Sequence, residues 1–409
     1  MARKGSSRVR RAVVSSLVLL CVAMTLAISN IYMQGRDRSL ALGPKGEAQA
    51  SFFENAPDRP DIAAFYKKLS PRDKLIAAKN LGKYDAPWTI RLAAIWLADF
   101  DPDARKELTS VMIRLAESQP KAVVAELKNT GGFQKLAVFQ ALKKRGSEVY
   151  PLVVDALDST DTRANAIDLL VEMGVGSAPL ILPKLQSTDK DVRLAAADAL
   201  GKLAYTQAGP AVLNQFKKAP EDQKLAFLAA LANLGWPGAE PTLAGIFKDE
   251  TAPLTFRSAA ALGLGRIGDR TSVQLLSTEA RTDSALHNDA VAALQATGDA
   301  GVLASGLSPV VRLEVAAGVK TPVADNVIKS ALSDPRLEIP AAIAASGRER
   351  LIEPLVAVLS SLDPQTDGKR IAAILNSLGS TEAGRYAIAH LDAPRLRGFV
   401  ERTQALANP

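Results

Sequence analysis

Cysteine is nearly missing from this chain: its 409 residues hold one, Cys21, inside an uncharged N-terminal stretch. That excludes a disulfide framework and a cysteine-based metal site, so packing alone must hold the fold. Histidine is almost as scarce. His287 and His390 stand far apart, and neither adjoins a glutamate. No Gly-x-Ser-x-Gly elbow occurs, and no loop has the ligand spacing of a calcium site. Aromatic residues make up 5% and charged residues 23%. What is abundant is Ala and Leu, which suit many small helix-packing contacts better than a large β core. Glycine and proline are dispersed as punctuation between short helices, with no low-complexity tract. The chain therefore reads as a binding protein and not an enzyme, and no cofactor is expected.

Positive charge in the body is lacking too, although the formal charge is +7. Of the 50 basic residues, Arg3, Lys4, Arg8, Arg10 and Arg11 fall in the first eleven positions, leaving 45 against 43 acidic ones. A nucleic-acid binder shows a basic stripe in its body, so nucleic acid is not an expected partner.

The N-terminus is laid out like an export segment. Residues 1–11 form a basic tail, and 12–35 carry no charge. The stretch is long enough to span a ~30 Å hydrocarbon core, and Tyr32 suits the outer interface. We read it as an uncleaved transmembrane helix with the N-terminus cytoplasmic. The body is then extracytoplasmic, beyond a polar tether at 36–58. Ala27-Ile28-Ser29 also offers a weak cleavage site, and cleavage there would leave the body secreted. Leu20 before Cys21 argues against lipidation.

The body repeats itself. A basic residue, six residues rich in Ala and other apolar side chains, then Leu recurs as Lys135…Leu142, Arg163…Leu170, Arg193…Leu200, Lys224…Leu231 and Arg257…Leu264. His287…Leu294 is a sixth copy. The spacings are 28, 30, 31, 33 and 30 residues. In the run from Asp191 to Gly201, Val192, Ala195, Ala196 and Ala199 fall on one helical face. Asp191 reads as an N-cap, and Gly201 as a residue that loosens or ends the helix. A shorter apolar helix opened by proline (Pro151, Pro179, Pro241) precedes each such helix, as proline costs little in a first turn. One unit of about 30 residues cannot bury its apolar face alone, so neighbours must stack.

The pattern Pro-x-Leu-x-x-Leu…Asp-x-Val-Arg-x-x-Ala-Ala-x-Ala-Leu-Gly resembles HEAT repeats, especially the short kind named after phycobilisome lyases. It is clearest at 179–203 and 241–268. The resemblance implies an all-α solenoid of stacked helical hairpins, here preceded by one membrane helix, and a general role in binding protein partners. It covers 121–298. Residues 59–120 read as divergent N-terminal repeats and 299–409 as degenerate repeats with a cap. Two other functions belong to related HEAT proteins: a phycobilin-lyase-like enzyme or subunit, and a DNA-binding protein like the alkylpurine glycosylases. The export segment opposes the first, and body charge and location oppose the second. Deoxyhypusine hydroxylases hold iron with His-Glu pairs, which are absent here.

The candidate partner-binding residues are Arg163, Arg193, Lys224, Arg257 and Trp236. The cations form a ladder, one per repeat, with Asp161, Asp191 and Asp222 two positions before three of them. The alternative role for this ladder is structural: the Asp caps its helix, and the cation packs along the array and pairs with a neighbouring repeat. Trp236, in Leu-Gly-Trp-Pro-Gly, either plugs a seam between helices or stands exposed for a partner. Trp88 and Trp96 read as core. Gly263-Leu-Gly265-Arg-Ile-Gly268 matches the dinucleotide fingerprint, but an Ala-rich helical run precedes it where that motif requires a strand.

Overall fold

The computed structural model describes residues 66–401, apart from positions 100, 130, 283, 305, 392, 393, 397 and 399. The expected tail, membrane segment and tether, with Cys21 and Tyr32, lie outside the described residues. Among the described residues there is no strand, and no single helix is long and apolar enough to cross a membrane. The chain divides into two compact units between Arg145 and Gly146.

The first unit holds α1 (Pro71–Leu81), α2 (Pro87–Trp96), α3 (Pro102–Ser118), α4 (Pro120–Ala125) and α5 (Gly132–Arg145). Proline opens four of these, where its missing N–H has no intrahelical partner to lose. Ser70 caps α1 through Asp73 N, and Asp101 caps α3 through Ala104 N at 2.8 Å. Helices α1, α3 and α5 pack in sequence, burying Leu81, Leu108, Met112, Leu115 and Leu142. Aromatic rings fill the remaining space. Tyr66 stacks on Trp96 at 4.3 Å, Trp88 tilts against Tyr84, and Arg105 covers Phe133 at 3.8 Å.

The second unit alternates two rows of helices. The outer members of each pair are α6 (Tyr150–Asp155), α8 (Ala178–Ile181), α10 (Gly209–Lys218), α12 (Glu240–Lys248), α14 (Arg270–Glu279), α17 (Pro322–Ala331), α19 (Ile352–Ser361) and α21 (Glu382–Ala389). The other row is α7 (Thr160–Met173), α9 (Lys190–Lys202), α11 (Glu221–Leu234), α13 (Leu254–Ile267), α15 (His287–Ala296), α16 (Pro309–Gly318), α18 (Glu338–Ala344) and α20 (Gly368–Gly379). We call this the ladder row, because it carries the repeated basic position. Each of its helices packs on the next. The expected helical hairpins with proline-opened first helices are thus present, with Pro151, Pro179 and Pro241 each in a first turn.

Small residues set the spacing of the ladder row. A Cβ on Gly265 would lie 2.3 Å from the Ala293 carbonyl oxygen, and one on Gly263 would lie 2.9 Å from the Ala232 Cα. The α11–α13–α15 seam therefore closes backbone to backbone. Gly268 ends α13 in the left-handed region, φ 64°, where a side chain would be strained. The three glycines that imitate a nucleotide fingerprint are two packing contacts and one helix stop. Gly201 departs from expectation in that it does not end its helix. It lies inside α9, facing the Ala230 backbone, and the helix runs on to Lys202. Asp191 also departs from expectation. It sits inside the first turn, and Asp189 caps α9 by accepting from Asp191 N at 2.8 Å.

Candidate functional site

The ladder residues do not converge. The three arginines each reach back to the chain that ends the helical segment before their own helix. Arg163 Nε donates to Leu157 O at 2.8 Å, Arg193 to Ser187 O and Thr188 O at 2.8 and 3.0 Å, and Arg257 Nε to Phe247 O at 3.0 Å. A helix leaves its last carbonyls without intrahelical donors. A guanidinium, with five N–H groups and a fixed charge, satisfies them and complements the negative helix end. Lys224, with one ammonium and a shorter reach, turns instead to Glu221 at 2.9 Å. His287 meets Glu314 of the following ladder helix at 3.2 Å, and Arg163 comes within 3.8 Å of Asp191. On α20, Arg370 is paired with Asp367 at 2.8 Å and with Glu338, whose side chain is 3% exposed.

Trp236 lies in the turn between α11 and α12, half-buried between two glycines. A Cβ on Gly209 would come within 2.3 Å of its indole, and one on Gly238 within 2.2 Å. The ring fills a slot that only those glycines leave open.

Two concave features lie near the ladder. One is an open groove of about 420 Å³ between α18 and α20, lined by Ile343, Ser346, Lys369, Ala372 and Asn376, with the buried Ser377 beneath. The other is a polar cleft of about 240 Å³. Its walls come from three places: Gln186 and Ser187 before α9, Gln215 and Lys218 at the end of α10, and Gln223 in the first turn of α11, with Arg193 between them. No motif marked these residues in the sequence. Only Arg193 was identifiable in advance, through its ladder position.

The solvent side of the ladder row changes character along the unit. On α7 and α9 it carries Asp161, Asp168, Glu172, Asp191 and Asp198. From α11 onward it exposes Leu225, Leu254, Leu262, Val310 and Ile343, with Ala226, Ala292 and Ala317 between them. Large apolar side chains stand open on four helices of this row, α11, α13, α16 and α18, a recurrence that a partner-binding surface would use. Among the described residues no group of three or more His, Cys, Asp or Glu side chains converges as a metal ion would require.

Comparison with curated proteins gives no match. Among solved structures, human deoxyhypusine hydroxylase in complex with glycerol aligns at 15% identity with a TM-score of 0.22, over 67% of this chain and 96% of that one. The karyopherin Kap121p bound to the extreme C-terminus of the protein phosphatase Cdc14p aligns at 11% identity with a TM-score of 0.32, over 88% of this chain and 49% of that one. The family model described as HEAT repeats matches residues 150–231, the segment from α6 to Leu231 in α11, which holds Arg163, Arg193 and Lys224 of the cation ladder.

Proposed function

We propose that this protein is a HEAT-repeat scaffold that holds a protein partner along the ladder row of its second unit, tethered to a membrane by residues 12–35 with the repeats on the extracytoplasmic side. The observation that carries the binding role is the unpartnered apolar face formed by Leu225, Leu254, Leu262, Val310 and Ile343. A repeat array presents such a face over a long distance, so that many weak contacts add up to one stable complex. We assign Arg193 and Lys224 to the charged edge of that contact. Arg163, Arg257 and Trp236 we assign to holding the helices in register, through Leu157 O, Phe247 O and the slot beside Gly209 and Gly238. The Arg193 head, though also bonded to backbone, borders an open cleft. The tether reading rests on the basic tail followed by 24 uncharged residues.

Photo-crosslinking amino acids placed singly at Leu225, Leu262 and Val310, and at the exposed Leu180 and Val323 of the other row, test the binding role in cells. Adducts with one protein from the first three and none from the last two support it. Equal labelling from both rows, or none from either, defeats it. The tether is tested by protease added outside the sealed membrane. Digestion of the repeats, with a membrane-bound stub left behind, is the expected result, and full protection overturns the assignment.

A further inference from the structure

The polar cleft beside Arg193 has a composition that the binding role alone does not account for. No carboxylate lines it. Of the acids close in sequence to its walls, Glu221 pairs with Lys224 and Asp189 caps α9, and the exposed Asp222 does not line it. Arg193 spends one amino group on Ser187 O and Thr188 O. Among the described residues its Nε and second amino group have no partner, and Lys218 enters no ion pair. Gln223 is the unusual member. It is 7% exposed, it lines the cleft, and its side-chain amide makes no hydrogen bond among the described residues. Most of the side chain is buried while its amide opens into the cleft, so a ligand there meets a positioned donor and acceptor with no protein partner to displace. Gln215 adds a direction. Its Nε2 donates one N–H to Leu185 O at 2.7 Å, which fixes the amide plane and leaves its oxygen, an acceptor, and one further N–H to offer. Phe227 closes the bottom of the cleft with an apolar ring.

We propose that this cleft receives a carboxylate carried by a peptide segment of the partner. The carboxylate lies between Arg193 and Lys218, the Gln223 amide hydrogen-bonds to it, and the Gln215 oxygen accepts an N–H from the same segment. A guanidinium and an amide match the planar carboxylate group. A bare phosphate brings no N–H for Gln215. The volume, about 240 Å³, admits one side chain or one chain end. This inference rests on the protein-binding role above and adds the chemistry of one partner contact.

The test uses the full chain and follows the side-chain amide NMR signals of Gln215 and Gln223. The probes are acetyl-Ala-Glu-Ala-amide, acetyl-Ala-Gln-Ala-amide, acetyl-Ala-Ala with a free carboxyl terminus, and inorganic phosphate. Saturable shifts with the Glu peptide or with the free terminus are expected, and which of the two is stronger tells side chain from chain end. The Gln peptide should leave both signals in place. Lys218→Gln, an exposed change that leaves the fold alone, should weaken the favoured probe at least tenfold. Gln223→Leu should keep the melting temperature or raise it and still lose the response at Gln215. The proposal falls if no carboxylate probe saturates or if the Gln peptide shifts the signals equally. It also falls if phosphate binds more tightly than both carboxylates, or if both variants bind like the parent. Crosslinking from Leu225 and Leu262 does not depend on these probes, so a silent cleft and a failed scaffold give different results.

Discussion

The two units solve the same packing problem with different materials. The second uses glycine and alanine. Its ladder helices approach until backbone meets backbone, at Gly265 against Ala293 and Gly263 against Ala232. The first uses rings, with Tyr66 on Trp96 and Trp88 on Tyr84, and a longer helix, α3, of 17 residues. Small-residue packing demands the same residue types at the same place in every repeat, and that leaves a period in the sequence. Aromatic packing fills each gap with whatever shape fits and leaves no period. The rings also bring polar atoms with them: Tyr66 Oη and Trp96 Nε1 are buried without a hydrogen bond among the described residues. Glycine seams carry no such burden.

Four measurements would break or sharpen this contrast. The largest effect belongs to Gly265→Ala. Its added methyl would sit on a backbone carbonyl that cannot turn aside, so urea unfolding should show a loss of about 3 kcal/mol, the upper range for overpacking. Gly245→Ala is the control. Nothing lies within 4 Å of the new Cβ, so this helical position should gain about 0.5–1 kcal/mol. If both variants behave alike, the seam does not set the spacing. Next comes Trp96→Ala in the first unit. Full burial of an aromatic ring would put the loss at about 3–5 kcal/mol. Trp96 is half-buried, so about 2 kcal/mol is expected, with an unfolding transition that leaves the second unit's melting unchanged.

Smaller effects come from two carboxylates of the first unit with opposite shifts. Burial raises the Glu126 pKa, against the pull of Lys128 and Arg91. A raised carboxyl binds its proton more tightly when folded, so the charge it carries at pH 7 is a cost. Glu126→Gln should therefore raise the melting temperature at pH 7. That gain should shrink as pH falls through the folded value and vanish below the unfolded carboxylate value of about 4.3. Asp85 is held below its usual range, first by the Ser118 hydroxyl, then by the Gln119 amide, at 2.8 and 2.5 Å. Its contribution is present above the unfolded value and lost as pH falls through the folded one. Asp85→Asn should lower the melting temperature slightly at pH 7 and not at all in strong acid. Because Asp85 is exposed, this is the smallest of the four shifts.

Much of the second unit was readable in the sequence because its devices are local or periodic. Proline in a first turn, the Ala pairs after the basic residue and the 28–33 residue spacing all act within one repeat. Where a choice lay between neighbouring residues, sequence was not enough. Asp189 and Asp191 are both good caps, and only the backbone path before α9 selects the former. The destination of each ladder cation was equally hidden. A carbonyl acceptor is present at every residue, so nothing in the letters near Arg257 points to Phe247 O. The polar cleft was hidden most completely, since its walls are gathered from stretches that share no motif.

The glycine seam also has an elastic consequence. Where backbones already touch, two helices can neither move closer nor slide past one another without a clash. The α11–α13–α15 stretch is therefore nearly incompressible, like the closed side of a hinge. The other row meets more sparsely, so bending would be absorbed by opening or closing the spaces between α10, α12 and α14. A partner pressing along the second unit would then change its curvature more readily than it would shorten the seam.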